Sequence, residues 1–272
     1  MSFYGKNIVI TGASSGIGKS IAEHLSNKGF IVYGTARVPE NYPTPKDYSL
    51  ISLDVTDLKS IRQCVQELID KEGRIDVLIN NAGRGMTGPV EETDIDQVKA
   101  LYDTNYFGPV SMIQEVLPFM RKQKAGTIIN VTSIAGYMGL PFRAHYSSVK
   151  SALSILTEGI RLEVKPFGVS VYSLAPGDFA TDIASRRFNA ELSKDSAYQN
   201  TYKQQLELFD EHVDTAMDPI EVALKIEEII TKKPKRIHIL VANKLQRLSV
   251  LLLKKVLSQT QYEKLLANHY KL

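Results

Sequence analysis

The sequence reads Thr11-Gly12-Ala13-Ser14-Ser15-Gly16-Ile17-Gly18 directly after a short apolar run, Asn7 to Ile10, and continues into a segment of helical periodicity, Ile17 to Lys28. Glycines at such a junction let the backbone approach a phosphate, and the first amides and the dipole of the following helix favour negative charge. The pattern predicts a turn that binds a pyrophosphate group. A tight strand-to-helix turn with no ligand is the alternative that the glycines alone leave open.

The alternation of short apolar runs with helical segments continues through the first two thirds of the 272-residue chain. Strands that alternate with helices imply βαβ crossovers and a parallel sheet that is covered on both faces. Further strands are predicted at Ile31 to Thr35, Ser49 to Leu53, Val77 to Asn80, Thr127 to Val131, Ser170 to Leu174 and Ile237 to Val241. Further helices are predicted at Leu58 to Lys71, Ile95 to Arg121, Ala144 to Val164 and Pro219 to Thr231. We therefore expect an α/β fold with a doubly wound parallel sheet in one domain, residues 1–243.

The composition argues against a nucleic-acid-binding protein, a disulfide-stabilised protein and a membrane-spanning protein. The 33 basic and 30 acidic side chains leave a net charge of +3, which gives no reason to expect nucleic acid as the main partner. The single cysteine, Cys64, excludes an internal disulfide and a thiolate metal cluster, and we expect it to be a small core residue on a helix. No other ligand spacing indicates a metal site. No run approaches the roughly 20 apolar residues of a membrane span and no signal peptide is visible, so we expect a cytoplasmic protein.

A second group of residues carries candidate chemistry. Tyr146 and Lys150 lie one helical turn apart, so their side chains share a face. A neighbouring ammonium favours the phenolate, and we therefore expect the pKa of Tyr146 to fall into a range useful for proton transfer. Ser133 follows a predicted strand at the carboxyl edge of the sheet, where its hydroxyl can hold a substrate oxygen. His145 is turned about 100° away from Tyr146 on the helix and is expected to border the pocket or a subunit contact rather than to transfer a proton.

Taken in this order and spacing, these elements resemble the classical short-chain dehydrogenase/reductase family, whose glycine turn is TGxxxGxG and whose fold is a single-domain Rossmann fold. The resemblance implies a nicotinamide dinucleotide as cofactor and a Ser-Tyr-Lys triad, with an asparagine that holds a water in a proton relay. The implied catalytic residues are Asn105, Ser133, Tyr146 and Lys150. The implied cofactor-binding residues, besides Tyr146 and Lys150, are Gly12, Ser14, Ser15, Gly16, Ile17, Gly18, Arg37, Asp54, Val55, Asn81, Ala82, Gly83, Pro176, Gly177 and Thr181.

The residues at the end of the second predicted strand indicate whether the cofactor is NAD(H) or NADP(H). It reads Tyr33-Gly34-Thr35-Ala36-Arg37, so the carboxylate that would bind a ribose 2′-hydroxyl is missing and a guanidinium follows. A guanidinium is suited to a 2′-phosphate, and we therefore predict NADP(H). A solvated surface arginine is the alternative, and Ser15 stands where many NADP-dependent members of the family carry a basic residue.

Substrate selection is assigned to an expected lid at residues 177–218 and to apolar residues before the catalytic helix, Tyr137, Met138, Leu140 and Phe142. Such a lining favours an apolar ketone, aldehyde or secondary alcohol of steroid, retinoid or lipid type. Two alternatives stay open. One is a 3-ketoacyl thioester reductase, for which Arg143, Arg186 and Arg187 would meet an acidic carrier protein. The other is a non-catalytic regulator that senses NADPH.

Residues 244–272 are predicted to form an amphipathic helical tail. Its apolar stripe comprises Leu245, Leu248, Leu252 and Val256, and its basic residues are Lys244, Arg247, Lys254 and Lys255. Packing on its own domain, a subunit contact and peripheral contact with a membrane surface are all compatible with this pattern. The family resemblance implies a homodimer or homotetramer through the helices that carry Asn105 and Tyr146.

Overall fold

Seven parallel strands form the central sheet of the computed structural model, which describes residues 6–179, 187–214, 217–249 and 256–272. The strands are β1 (Asn7–Ile10), β2 (Ile31–Ala36), β3 (Ser49–Ser52), β4 (Val77–Asn80), β6 (Gly126–Val131), β7 (Val169–Pro176) and β9 (His238–Val241). Their spatial order is β3-β2-β1-β4-β6-β7-β9. The order reverses between β1 and β4, and such a switch point is where doubly wound sheets bind ligands. The predicted single-domain Rossmann fold is confirmed.

The helices pack on both faces of this sheet. They are α1 (Gly16–Asn27), α2 (Leu58–Glu72), α3 (Ile95–Tyr102), α4 (Gly108–Gln123), α5 (Ala144–Val164), α6 (Gln199–Asp214), α7 (Ile220–Lys232), α8 (Lys244–Leu248) and α9 (Gln259–His269). Because side chains alternate along a strand, Ile8 and Ile10 of β1 enter one apolar layer and Val9 the other. The first layer is completed by α1 and α7, and the second by α2, α4 and the end of α5.

Cys64 lies buried on α2, as predicted. Burial, with a smaller contribution from the nearby charge of Glu67, raises the pKa of its thiol to about 12. The residue is therefore a protonated packing group at neutral pH.

The predicted helix from Ile95 to Arg121 is interrupted. Between α3 and α4, residues Asp103–Phe107 form a π-helical turn, in which the Gly108 N–H donates to the Asp103 carbonyl. Pro109 has no N–H, so an α-helical bond from residue 109 to the carbonyl of Asn105 cannot form. The missing donor is a physical reason for a wider turn here, and π turns of this kind are frequent at functional sites.

The expected lid contains secondary structure of its own. Besides α6, it includes β8 (Phe188–Asn189), which pairs in parallel with β5 (Met86–Thr87). The hydroxyls of Thr87 and Tyr202 lie 2.9 Å apart and add a buried hydrogen bond to this pairing. A third apolar cluster lies beneath the segment and includes Phe209 of α6 and Tyr146 of α5. The function of a lid stays a prediction.

The described part of the tail contains α8 and α9, and the backbone leaves the helical conformation at Leu257 and Ser258, directly before α9. Ser258 and Gln261 form a capping box at the start of α9. Tyr262 and Tyr270 are buried, so α9 packs on its own domain. Leu245 of α8 is 78% exposed, and Leu252, Lys254 and Lys255 of the predicted stripe lie outside the described residues. Within the described ranges, every helix is too short or too polar to cross a membrane.

Candidate active site

The glycine turn lies between β1 and α1, at the carboxyl edge of the sheet. Gly12 has a φ of +68°, and a Cβ there would lie 2.9 Å from the Cα of Ala82. A Cβ on Gly18 would overlap the carbonyl oxygen of Gly12. Both positions therefore require glycine, one for its conformation and both for the close approach of the backbone. Ser15 is the N-cap residue of α1, so the amides of Gly16 and Ile17 begin the helix at this turn.

The segment after β4 braces this turn. Asn81 Nδ2 donates to the carbonyl oxygens of Thr11 at 3.0 Å and Gly12 at 2.9 Å. The Thr11 hydroxyl in turn accepts from the backbone N–H groups of Asn81 at 3.0 Å and Ala82 at 2.9 Å. These four bonds tie the predicted Asn81-Ala82-Gly83 element to the glycine turn and fix the backbone of the turn at the start of α1, the kind of position at which helices bind phosphate groups.

Tyr48 is a supporting residue that the sequence did not indicate. Its hydroxyl donates to the Ala13 carbonyl at 3.0 Å, and a Cβ on Gly34 would lie 2.9 Å from its ring. Burial raises the pKa of Tyr48 to about 12, so the hydroxyl keeps the proton that it donates. The residue lies in a loop ahead of β3, where no periodicity marks it as important.

The other predicted cofactor residues lie at or after the ends of β2, β3 and β7. Arg37 follows the end of β2 directly and is exposed. Asp54 Oδ1 accepts from the Thr56 N–H at 2.9 Å and from the Thr56 hydroxyl at 2.7 Å, so part of its bonding capacity is used locally. Pro176 ends β7, and the N–H of Gly177 donates to the Val241 carbonyl at 2.8 Å. Thr181 lies outside the described residues.

The structure brings the three predicted triad residues together. Ser133 follows β6, its Oγ accepts from the Ala135 N–H at 3.1 Å, and the same hydroxyl is near enough to Tyr146 to act on the pKa of the phenol. The Nζ of Lys150 lies 5.9 Å from the centre of the Tyr146 ring and donates to the Val131 carbonyl at 3.0 Å. All three side chains are at most 9% exposed. The one-turn spacing on α5 therefore places both residues in one buried site beside the end of β6.

The pKa of Tyr146 was expected to be lowered, but in the coenzyme-free structure it is raised. Burial raises the pKa of Tyr146 above its ordinary value, and this effect outweighs the opposite effects of the Arg143 charge and of the Ser133 hydroxyl. Lys150 is not among the groups that lower it. Burial also lowers the pKa of Lys150, to about 8, because an ammonium loses its hydration in this site. In the coenzyme-free protein the phenol is thus a protonated acid at neutral pH.

Asn105 lies in the π-helical turn and is completely buried. Its side-chain amide accepts from the Arg84 N–H at 2.9 Å and donates to the Arg84 carbonyl at 3.0 Å. A Cβ on Gly83 would lie 3.4 Å from Asn105 Oδ1 and 3.6 Å from Lys150 Nζ. The amide therefore holds the strand-β4 loop next to the lysine, while the relay role stays a prediction.

Arg143 also belongs to the site, although the sequence suggested it only as a residue for a carrier-protein surface. Its guanidinium carbon lies 5.1 Å from the centre of the Tyr146 ring and 5.3 Å from that of Phe209. The structure thus places it against residues of both α5 and α6. Arg187 is paired with Asp210 at 3.0 Å, and Arg186 lies outside the described residues.

Residues of α8 and α9 contact the segments that follow β7 and precede α5. Gln246 of α8 donates to Asp178 Oδ2 at 2.6 Å, directly after Gly177. The Tyr262 hydroxyl of α9 lies 3.2 Å from the Met138 sulfur. Phe142 packs against the ring of Tyr202, with ring centres 5.5 Å apart. The predicted apolar residues before α5 are therefore joined by aromatic groups of the lid and of the tail, whose sequence separation concealed the contact.

Comparison with known proteins identifies the family. The short chain dehydrogenase family profile matches residues 6–192. The chain is 40% identical over 228 residues to a 3-ketodihydrosphingosine reductase of Bacteroides thetaiotaomicron, covering 83% of this chain and 84% of that protein. It is 30% identical over 259 residues to an NADPH-dependent 3-dehydrocapnine reductase of Ornithobacterium rhinotracheale, covering 87% and 88%. A short-chain dehydrogenase structure from Streptomyces avermitilis superimposes with a TM-score of 0.82 at 30% identity, covering 97% and 98% of the two chains.

The glycine cradle, the triad geometry and these matches agree with the resemblance seen in the sequence. The chain therefore belongs to the short-chain dehydrogenase/reductase family of nicotinamide-dependent oxidoreductases.

Proposed function

We propose that this protein is an NADP(H)-dependent reductase that converts a ketone or aldehyde on a lipid-like body into the alcohol, with Tyr146 as the general acid. The observation that carries the proposal is the buried Ser133–Tyr146–Lys150 group at the same edge of the sheet as a glycine turn of the kind that binds a dinucleotide phosphate. Similarity to two proteins named as reductases of keto compounds supports the reaction class and the carbonyl-reducing direction.

The proposed mechanism follows from the hydrogen-bonding groups. In this mechanism the neighbouring hydroxyls of Ser133 and Tyr146 together bind the substrate oxygen. Tyr146 donates its proton to that oxygen while the coenzyme, when bound, supplies the hydride. A phenol whose pKa is raised by burial keeps its proton at neutral pH, so the proton is available for transfer to the substrate oxygen.

Lys150 and Asn105 maintain the acid. Lys150 has a pKa of about 8, so it exchanges a proton near neutral pH and is suited to reprotonate Tyr146 after turnover. We also assign Lys150 a second role, the binding of the nicotinamide ribose of the coenzyme. Asn105 links this lysine to solvent through its backbone carbonyl, which cannot accept an α-helical bond from Pro109. Because Tyr146 is buried, it must regain its proton through such a path before each new turnover.

The preference for NADP(H) rests on Arg37. Its exposed guanidinium stands directly after β2, where a carboxylate would have repelled a 2′-phosphate. The remaining cofactor contacts are assigned to the glycine turn, to Asp54 and Val55, to the Asn81–Gly83 element, and to Pro176, Gly177 and Thr181.

A homo-oligomer is proposed from exposed apolar side chains on the helices that the family resemblance indicated. Phe107, at the end of the π-helical turn, is 54% exposed, and Ile155 and Leu162 of α5 are 63% and 74% exposed. Large exposed side chains of this kind on two neighbouring helices favour burial against a second copy.

Substitution of Tyr146 by phenylalanine tests the function. Tyr146→Phe should lower the kcat for NADPH oxidation with a panel of long-chain ketones by about 10²- to 10⁴-fold, the usual contribution of general acid catalysis. NADPH affinity, measured by fluorescence, should change little. Tyr102→Phe is a matched control, because the Tyr102 hydroxyl bonds to Ser148 on the exposed surface. An active Tyr146→Phe enzyme would refute the assignment, and a wild-type protein that binds NADPH without reducing any carbonyl would favour the regulator.

A further inference from the structure

Arg143 occupies an unusual position for a charged residue. It directly precedes α5, so its side chain leaves the backbone three residues before the proposed acid. The guanidinium carbon lies 5.1 Å from the centre of the Tyr146 ring and 5.3 Å from that of Phe209. The cation is therefore held between α5 and α6, next to the phenol to which the proposed function assigns the substrate oxygen.

This guanidinium is incompletely satisfied within the described part of the chain. Its Nε is buried and has no hydrogen-bond partner, and no carboxylate there pairs with it. Arg187 provides the contrast, since it also lies over Phe209, at 5.8 Å, yet pairs with Asp210 and with Asn189. Burying a guanidinium donor without an acceptor is unfavourable, which suggests that a ligand completes the bonding of Arg143.

The surrounding charges favour an anion as that ligand. The positive charge of Arg143 lowers the pKa of Tyr146 and of Tyr270, and in both cases this effect is larger than the opposite effect of the Asp178 carboxylate. Asp178 in turn accepts a hydrogen bond from Gln246 at 2.6 Å, which disperses part of its charge. Nearby rings of Phe209 and Tyr270, 6.2 Å apart, exclude water and strengthen the remaining positive field.

We propose that Arg143 binds an anionic oxygen group of the substrate, such as a carboxylate, phosphate or sulfonate, that lies a few bonds from the reacting carbonyl. A planar guanidinium matches such groups with two parallel hydrogen bonds. The inference rests on the proposed reductase function and narrows its substrate class. The preferred substrate is then an amphipathic keto compound, with an acidic head at Arg143 and an apolar chain along Met138, Phe142 and the tail, rather than a wholly apolar ketone.

A pair of substrates that differ only in charge tests this assignment. We would measure kcat/KM for NADPH oxidation with 4-oxodecanoate and with its methyl ester, using wild type, Arg143→Gln and Arg187→Gln. Wild type should prefer the acid, and Arg143→Gln should lose about 10- to 100-fold on the acid alone, as expected for a charge-assisted pair. Arg187→Gln, whose arginine is already paired, should keep the wild-type preference. Circular dichroism melts and NADPH affinity verify that each variant is folded.

Two results would overturn the proposal. One is a wild-type enzyme with no preference for the acid. The other is an equal loss on acid and ester in Arg143→Gln, which would mean that Arg143 acts on Tyr146 and not on the substrate.

If wild type reduces neither compound, the proposed reductase function fails on these substrates, and calorimetry then decides the inference separately. Octanoate binding to NADPH-loaded wild type but not to Arg143→Gln would sustain the anion site. Equal binding to both variants, or none to either, would reject it. Octan-1-ol serves as the neutral reference ligand in this experiment.

Discussion

Replacing Lys150 by methionine should make the protein more stable while abolishing its catalysis. The structure buries this ammonium and lowers its pKa from 10.5 to about 8. At 1.36 kcal/mol per pKa unit, charging Lys150 in the folded state costs about 3 kcal/mol at pH 7. The variant also removes the bond from Nζ to the Val131 carbonyl, worth about 1 kcal/mol. The net expectation is a gain of about 2 kcal/mol in the free energy of unfolding, or roughly 5 °C in Tm.

The gain should depend on pH with a definite sign. Below about pH 8 the lysine is charged in both the folded and the unfolded wild type, so the full penalty is present. Between pH 8 and 10.5 the unfolded chain binds more protons than the folded one, and wild-type stability therefore rises with pH toward that of the variant. Above pH 10.5 the charge penalty is gone.

Chemical denaturation of both proteins at pH 7 and pH 10 measures this difference. Lys122→Met, at an exposed position on α4, is the matched control and should show no comparable gain. A Lys150→Met protein that is well folded yet less stable than wild type at pH 7 would refute the reasoning. So would a gain of equal size at both pH values, because a charge effect must fade as the lysine titrates.

Three further outcomes are expected. Arg37→Ala should weaken NADPH binding, measured by fluorescence titration, far more than NADH binding, and equal losses would remove the case for 2′-phosphate recognition. Gly12→Ala should destabilise the protein by about 1 to 2 kcal/mol or more, seen in denaturant melts, because it forces φ of +68° on a side chain that meets Ala82 at 2.9 Å. It should also weaken binding of either coenzyme, so an unchanged coenzyme affinity would contradict the cradle. Leu162→Glu should lower the mass measured by light scattering with little loss of monomer stability, since Leu162 is 74% exposed; an unchanged mass would place the subunit contact elsewhere.

The sheet and the glycine turn were predictable because their signals are local. Apolar runs bounded by turns predict β1 and β4 with the bounds that the structure has, and the predicted helix Ala144 to Val164 coincides with α5. Glycine is required at positions 12 and 18 because other parts of the backbone approach them closely. The spacing of the glycines between a strand and a helix already indicates such a turn. The same holds for Tyr146 and Lys150, whose shared helix face depends only on the helical repeat.

The electrostatics of the site were not predictable from that spacing. A lysine one turn away suggests a lowered tyrosine pKa, but the burial of Tyr146 depends on packing by the lid and the tail and outweighs any neighbouring charge. The contact between Arg143 and Phe209 is hidden for the same reason, because the two residues lie far apart in the chain. The π-helical turn had a local signal in Pro109, which interrupts one backbone donor in an otherwise helical pattern.

Because the chain's single native thiol is buried and stays protonated below about pH 12, it resists alkylation under ordinary labelling conditions. A cysteine introduced at an exposed site, such as Lys194 in the loop ahead of α6, would then react with a maleimide dye alone. Cys64 can remain in place, so a fluorescent label on this loop needs no cysteine-free variant of the protein and leaves the packing around Cys64 unchanged.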